Sequence, residues 1–546
     1  MGVHLNPTPE NGPLTSQRTT FLPPCVVFED DHLLVVDKPP GWNTHAPSPY
    51  AGEGIHEWLK HREPRWADLA ILHRLDKDTS GLLVFGKTPQ ANRSLARQFE
   101  EHLVGKVYRF RTDREVGIQR CVETSAVVRN GDHHVARPWA VGMDAAETAF
   151  EVVRRTPGFT ELEARPRTGR THQIRVHAAH RGWPLIGDAL YGGTAHPRLH
   201  LASVRLEFVH PTLGTPVVFE APDRFDVPPA TLLRAAVVHP AETDAFRRLH
   251  GAADAGAGGG IHCDQLGPYV LLQSEGEPSG IPAEVVPGSD GLYFKQWNRH
   301  VRTTAAEAAG PRHLRGPEAP ERFEIRENGV RYELSFAEGY SVGLFLDQRD
   351  NRRRLLVNHV ASGFPLFPEG TAGREVLNCF AYTGGFSVCA ALAGARATSL
   401  DLSRKYLDWA RRNFERNGLD PAAHDFIYGD VFDWIRRLGK KGRRFDAVLL
   451  DPPTFSRSKE HGDFRAERDY GQLVSSALAV LKPGGVLFAS TNAARLEPEH
   501  FLSDIRTAIT AAGRRIISQH YVPQPPDFPI SREEPAYLKT VWLRVS

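Results

Sequence analysis

Residues 71–81 read ILHRLDKDTSG, a charged turn between two apolar runs, Ile71–Leu72 and Leu82–Phe85. A carboxylate in such a turn has a structural use: Asp76 or Asp78 can cap it and pair with Arg74. A lone Arg-Leu-Asp would be read that way. A second charged stretch shifts the balance. RPRTGRTHQIRVHAAHRGWPLIGDALYGG, starting at Arg165, is dense in Arg and His. Its histidines, His172, His177 and His180, fit no common zinc spacing and have no Cys or acid to complete a ligand set. No metal is expected there. Arg165, Arg167, Arg170 and Arg181 are either a local RNA-binding surface or an ordinary solvated charged face.

The second half carries another pattern. VLNCFAYTGGFS (376–387) runs an apolar strand into a glycine turn, and Gly384–Gly385 opens a helical stretch. The next strand, ATSLDLS, ends at Asp401, where a doubly wound fold binds ribose hydroxyls. Asp430 in IYGDVFDW sits where an adenine amine could be read, and Asp451-Pro452-Pro453 follows FDAVLL. Each acid alone could be a helix cap. Successive strand tips that all carry such a signal point to a cofactor crevice. The loop lacks GxGxxG, as expected if no pyrophosphate is cradled.

The elements that must position these groups differ between the halves. From Val26 to Val209, short strands such as HLLVVDKP, GLLVFGK, KVYRFRT and TAFEVVRRT predict an α+β domain with a mainly antiparallel sheet. From about Glu375, apolar strands alternate with helical patterns, predicting a doubly wound, Rossmann-like α/β sheet. Between them, GPYVLLQSEG and GVRYELSFAEG predict a small β-rich domain. HGAADAGAGGG reads either as a linker or as part of that domain, and the domain is preferred. The expected division is a loose tail at 1–24, then domains at 25–240, 241–345 and 346–546. A 546-residue chain with net charge +2 has no global basic field, so any nucleic-acid site is a local patch. Five scattered cysteines without CxxC spacing exclude a disulfide framework and fit a reducing cytoplasm. No export signal or membrane-length apolar run is expected to act. The sequence leaves the oligomeric state open.

HRLDKDTSG, KVY at 106–108, and GRTHQIRVH with GWPLIGDALYG, in that order, resemble the RluA-type pseudouridine synthases over about residues 26–215. The resemblance implies that Asp76 is the nucleophile, attacking either the base or ribose C1′. It makes Arg175 the cationic partner of a buried Asp76, Tyr108 the residue stacking on the base, and Arg74 a holder of the RNA. It implies no cofactor for this half. With the first strands at about residue 26, the RNA-binding S4 domain that many relatives carry is not expected.

EGYSVGLFLDQRDNRR, NCFAYTGGFS, DLSRKYLDWARRNFERNGL, DPPTFSRSK and PPDFPISREEPAYLKTVWL resemble class I S-adenosylmethionine-dependent methyltransferases, more narrowly those acting on bacterial 23S ribosomal RNA. The resemblance implies S-adenosylmethionine as cofactor. It places Phe380, Tyr382, Thr383, Gly384, Asp401, Asp430, Asp451 and Pro452 at that cofactor and Asp451 at the chemistry. Methylation at cytosine C5 needs a cysteine thiolate, yet FASTNAARL occupies the matching stretch and no cysteine follows Cys389. Guanine N7 needs only positioning, so that branch is expected. The expected whole is a bifunctional enzyme of RNA, ribosomal rather than transfer RNA. The alternatives are methylation at cytosine C5 or an exocyclic amine, one half acting only as an RNA-binding module, or transfer RNA as the target.

Overall fold

A computed structural model describes residues 21–141, 144–254, 260–276, 290–297, 310–338, 341–458 and 462–546. Residues 1–20 of the expected tail and 255–259 of the glycine-rich stretch lie outside the described residues. The chain divides into two compact units. The first runs to His45 and adds Gly54–His56 and Asp68–His239; the second holds Ala46–Glu53, Glu57–Ala67 and Pro240–Ser546.

The first unit is built on strands β1 (Val26–Glu29), β2 (Leu33–Lys38), β3 (Ala70–Ile71), β4 (Ser80–Gly86), β5 (Gly105–Thr112), β6 (Arg120–Asn130), β7 (His133–Arg137), β8 (Ala145–Arg155), β9 (Thr160–Pro166), β10 (Leu201–Val209) and β11 (Pro216–Glu220). They form one eleven-stranded sheet in the order β1-β2-β4-β10-β5-β9-β8-β6-β7, with β11 on β10 and β3 on β4. The pairings are antiparallel apart from β4 with β10. Every residue of β4 is buried. Ile71 is not the end of a buried strand: β3 is a two-residue edge piece and Ile71 is 39% exposed. The helix Pro89–Glu100 follows β4. Thr88 accepts from Ala91 N at 3.3 Å and Pro89 occupies the first turn, where its missing N–H is harmless.

The second unit opens with β12 (Ala245–His250), β13 (His262–Leu266), β14 (Tyr269–Ser274), β15 (Gly291–Gln296) and β16 (Arg312–Arg315), a five-stranded sheet in chain order. Two hairpins follow, β17 (Phe323–Glu327) with β18 (Val330–Leu334) and β19 (His359–Ala361) with β20 (Phe364–Pro365). Then come β21 (Glu375–Cys379), β22 (Arg396–Asp401), β23 (Asp425–Tyr428), β24 (Phe445–Leu450), the hairpin β25 (Phe455–Ser458) with β26 (Gly462–Arg465), and β27 (Leu481–Thr491), β28 (Ile516–Val522) and β29 (Lys539–Val545). The main sheet runs β23-β22-β21-β24-β27-β29-β28, parallel until the antiparallel β29 and β28. The β-rich segment has a small cluster of its own, Leu249, Cys263, Val270, Leu272, Leu292 and Phe294, and also shares a larger one with the main sheet. One apolar cluster runs from Ala245 and Tyr269 through Ile325 and Phe336 to Phe386 and Trp542.

Two findings revise the expected division. The 241–345 segment shares a compact unit with the doubly wound sheet. Residues 46–53 and 57–67, placed by sequence in the first domain, belong to the second unit. The helix Ile55–Arg62 explains this. Trp58 donates to Asp350 Oδ2 at 3.1 Å, Lys60 O accepts from the His359 ring at 2.9 Å, and Glu63 pairs with Arg353.

Candidate active sites

In the first unit the turn bearing Asp76 is pinned on both sides. Thr44 Oγ1 donates to Leu75 O at 2.8 Å and accepts from Leu75 N at 3.2 Å. The fully buried Lys38 ammonium donates to Lys77 O at 2.9 Å, Trp42 O at 2.7 Å and Pro39 O at 3.0 Å. Burial lowers the Lys38 pKa to about 7, against the charges of Asp78 and Asp76. After the turn, Gly81 takes φ +108°, and a Cβ there would stand 2.2 Å from Ser203 O. Only glycine lets β4 approach β10 this closely. His73 Nε2 accepts from Val84 N at 3.1 Å, a structural use of the first residue of HRLD.

Arg74, Asp76, Tyr108, Arg170, His172 and Arg175 line one pocket of about 110 Å³. The Asp76 side chain is 34% exposed, so the carboxylate is not buried as the resemblance implied. Arg175 Nη1 lies 3.7 Å from Asp76 Oδ2, and His172 Nε2 also lies 3.7 Å away. The closer partner of Arg175 is Asp188: its guanidinium donates at 2.7 Å to each oxygen of that buried carboxylate, in fork geometry. Asp188 was missed because GDALYGG reads as a turn. Its place in the GWPLIGDALYG motif was a signal in the sequence, while its burial against Arg175 was not. Tyr108, on β5, has its hydroxyl pKa raised by desolvation and by the Asp76 charge, so it is a neutral phenol. Gln173 latches the loop before the helix Gln173–His180, accepting from Arg170 N at 3.0 Å and donating to Glu147 O at 3.0 Å. His172 sits in left-handed backbone (φ 57°), its Nδ1 2.9 Å from Tyr191 Oη.

The other arginines are engaged with acids. Arg165 reaches Glu163 at 2.6 Å and Glu151 at 3.0 Å, Arg170 reaches Asp144 at 2.9 Å, and Arg167 and Arg181 stand 3.7 Å and 3.6 Å from Glu147 and Glu123. Arg165 and Arg167 line a neighbouring groove with Lys106 and Arg205, while Arg181 lines neither cavity.

In the second unit the turn after β21 is strained. Phe380 and Tyr382 take φ 60° and 50°, a conformation side chains rarely adopt. Gly384 follows at φ +77°, where a Cβ would meet Ala410 Cβ at 2.8 Å. Asp401 holds this turn, accepting from Tyr382 N and Ser403 N at 2.8 Å each. Leu402 N also bonds this carboxylate, which leaves about one of its four lone-pair sites open. Thr383 Oγ1 donates to Gly343 O at 2.5 Å. Asp430 caps the helix Val431–Lys440, accepting from Asp433 N at 3.1 Å. Asp451 accepts from Gln348 Nε2 at 3.3 Å. Desolvation, with the Asp347 charge added, lifts its pKa to about 6. Pro452 beside it is buried. Leu402, Tyr428 and Phe345 remain 43%, 48% and 44% exposed. Exposed apolar side chains near a hydroxyl-accepting carboxylate suit a ligand with an aromatic base and a ribose. Cys379 and Cys389 are both buried; burial pushes the Cys379 thiol pKa up, and Cys389 Sγ lies 3.2 Å from Tyr332 Oη.

Comparison with known proteins agrees with both halves. The family described as RNA pseudouridylate synthase matches residues 32–180, and the family described as S-adenosylmethionine-dependent methyltransferase matches 299–544. Ribosomal RNA large subunit methyltransferase I of Aeromonas salmonicida is 36% identical over 298 residues, 52% of this chain and 71% of that protein. The chain belongs to the large-subunit ribosomal RNA methyltransferase family. A member from Deinococcus radiodurans, described as a ribosomal RNA large subunit methyltransferase, is 38% identical over 226 residues, 40% of this chain and 51% of that protein. The chain thus spans about half the length of some curated relatives it matches. A solved methyltransferase complexed with SAH is 30% identical, covering 55% of this chain and 75% of its own, at a TM-score of 0.47. In keeping with the methyltransferase family matched over 299–544, the cofactor is S-adenosylmethionine. No helix among the described residues is long and apolar enough to cross a membrane.

Proposed function

We propose that the chain modifies ribosomal RNA twice, isomerising a uridine to pseudouridine in its first unit and methylating a guanine at N7 in its second. The observation that carries the first activity is Asp76 beside Arg175 and Tyr108 in one pocket. Asp76 attacks the uridine at the base or at ribose C1′, and the N1 glycosidic bond breaks. The uracil turns and bonds to C1′ through C5, C5 gives up its proton, N1 gains one, and Asp76 is released. Arg175 favours the ionised carboxylate. The neutral Tyr108 phenol offers its ring to the base.

In the second unit, S-adenosylmethionine, when bound, supplies the methyl group to the N7 lone pair. Asp401 accepts from a ribose hydroxyl and, through Tyr382 N, fixes the glycine turn. Asp451, ionised above about pH 6, is the acid available to offset the charge the guanine gains. The observation favouring N7 over cytosine C5 is that Cys379 and Cys389 are core residues, so neither offers an exposed thiolate. No proton need leave N7, so no base is required.

The test is nucleotide-resolution mapping of ribosomal RNA from a deletion strain, complemented with wild type, Asp76→Asn or Asp401→Ala. Asp76→Asn should abolish the pseudouridine and leave the methyl group. Asp401→Ala should do the reverse, weakening S-adenosylmethionine binding by about 1.5–3 kcal/mol. Borohydride and aniline should cleave the methylated strand at 7-methylguanine. An uncleaved strand with labelled 5-methylcytosine would falsify the N7 assignment.

A further inference from the structure

A second cavity in the second unit, about 520 Å³, is large enough for a nucleoside and has no assigned role. Its wall meets the strand-tip crevice. Phe345 lines the cavity, and its ring centroid is 5.4 Å from that of Tyr382. Asp347 lines it too, one residue before Gln348, whose amide donates to Asp451 Oδ1 at 3.3 Å and Ser490 Oγ at 2.8 Å. The cavity is therefore walled by the same short segment that supports the acid of the DPP turn.

About half of its lining is polar, Glu275, Lys295 and Asp347 included, and several of these groups are fixed by partners. Tyr537 donates to Asp347 Oδ2 at 2.9 Å, which sets the carboxylate plane. Arg247 Nε donates to Asp264 Oδ1 at 2.5 Å, so that guanidinium is already held by an acid. Phe345 and Trp297 keep 44% and 39% of their surface exposed, leaving aromatic faces for a base to stack on.

We propose that this cavity receives the target guanosine flipped out of the RNA, and that Asp347 reads its N1–H and N2 amino group. The proposal rests on the guanine-N7 reading. A carboxylate accepts from both donors of the guanine Watson–Crick edge, whereas adenine and cytosine present a ring nitrogen lone pair there and are repelled. N7 lies across the ring from that edge. A guanine anchored through Asp347 therefore turns N7 away from the cavity floor, and methyl transfer follows without a catalytic base. The enzyme must unstack the base to reach it, and the exposed aromatics offset part of that loss.

The experiment pairs a change in the enzyme with a change in the RNA. Once the methylated position is mapped, a ribosomal RNA fragment carrying guanosine there is compared with one carrying inosine, which lacks only the N2 amino group. Full-length wild type and Asp347→Asn are assayed on both, and each is titrated with S-adenosylhomocysteine. Wild type should prefer guanosine by about tenfold or more in kcat/KM, the scale of one base-edge contact. Asp347→Asn should bind S-adenosylhomocysteine within about twofold of wild type while its preference shrinks to about threefold or less. Undiminished preference in the variant overturns the proposal. So does a loss of S-adenosylhomocysteine affinity matching the loss of methyl transfer, which would put Asp347 at the cofactor. Wild-type methylation of a base other than guanine would show at the mapping stage and sink the N7 reading itself.

Discussion

At the scale of single residues, the proposed first site includes a buried acid, Asp188, behind Arg175. Asp188 holds Arg175 by two bonds of 2.7 Å, while Arg175 stands 3.7 Å from Asp76. Asp188→Asn keeps the shape but removes the charge, forfeiting about 1.5–3 kcal/mol of charge-assisted bonding. The expected outcome is a fall in kcat for isomerisation of about 10–100-fold with RNA affinity unchanged. Filter binding and single-turnover assays on one preparation check it, and equal losses in both would make Asp188 merely structural. Asp451 carries a pH prediction. Its folded pKa of about 6 lies above the usual 3.8. Between those values the folded state binds the extra proton, so this group's contribution to stability declines as pH rises through that window. A cationic cofactor prefers the ionised form. Its dissociation constant should therefore rise as pH falls below about 6, and Asp451→Asn should flatten that dependence in calorimetric titrations.

At the scale of elements, the glycine turn after β21 is the most constrained piece of the second site. Gly384→Ala adds a Cβ 2.8 Å from Ala410 Cβ at φ +77°. The expected cost is about 1–3 kcal/mol of stability, with weaker S-adenosylmethionine binding. Gly442→Ala is the control, since φ is +73° there and nothing lies within 4 Å of an added Cβ. Denaturant melts of both variants separate backbone strain from collision; equal losses would remove the collision from the account. The two charged stretches and the strand-tip acids were legible because period and turn chemistry are local. The helix Arg349–Val357 was not. RDNRRRLLV was noted only as part of a family motif, and nothing local in it shows that Arg349 through Arg354 are all buried. Arg349 meets Asp527 at 2.6 Å and Arg352 meets Glu327 at 2.6 Å. A buried charge is tolerated only with such partners, and they come from distant parts of the chain. Asp430 shows the opposite limit: its strand-tip position suggested a ligand contact, while its side chain also caps a helix.

At the scale of the whole molecule, the compact units do not follow a single cut in the sequence. A fragment starting at Pro240 lacks Trp58, Glu63 and Glu53, the partners of Asp350, Arg353 and Arg354. Breaking a buried pair costs about 3–5 kcal/mol. Residues 240–546 alone should melt well below the same fragment supplied with a peptide of residues 46–67, and the gain should grow with peptide concentration. Thermal melts across a peptide titration decide this; a fragment indifferent to the peptide would show that the segment adds nothing to the second unit.

The same segment sets a clock during synthesis. Trp58 is made early, and Asp350, which accepts its indole N–H, follows 292 residues later. At about 5–20 residues per second, the ribosome needs roughly 15–60 s to deliver that partner. Until then the Trp58 indole, buried in the finished protein, lacks the carboxylate that accepts its N–H. A slower ribosome lengthens that interval without altering one contact of the native state.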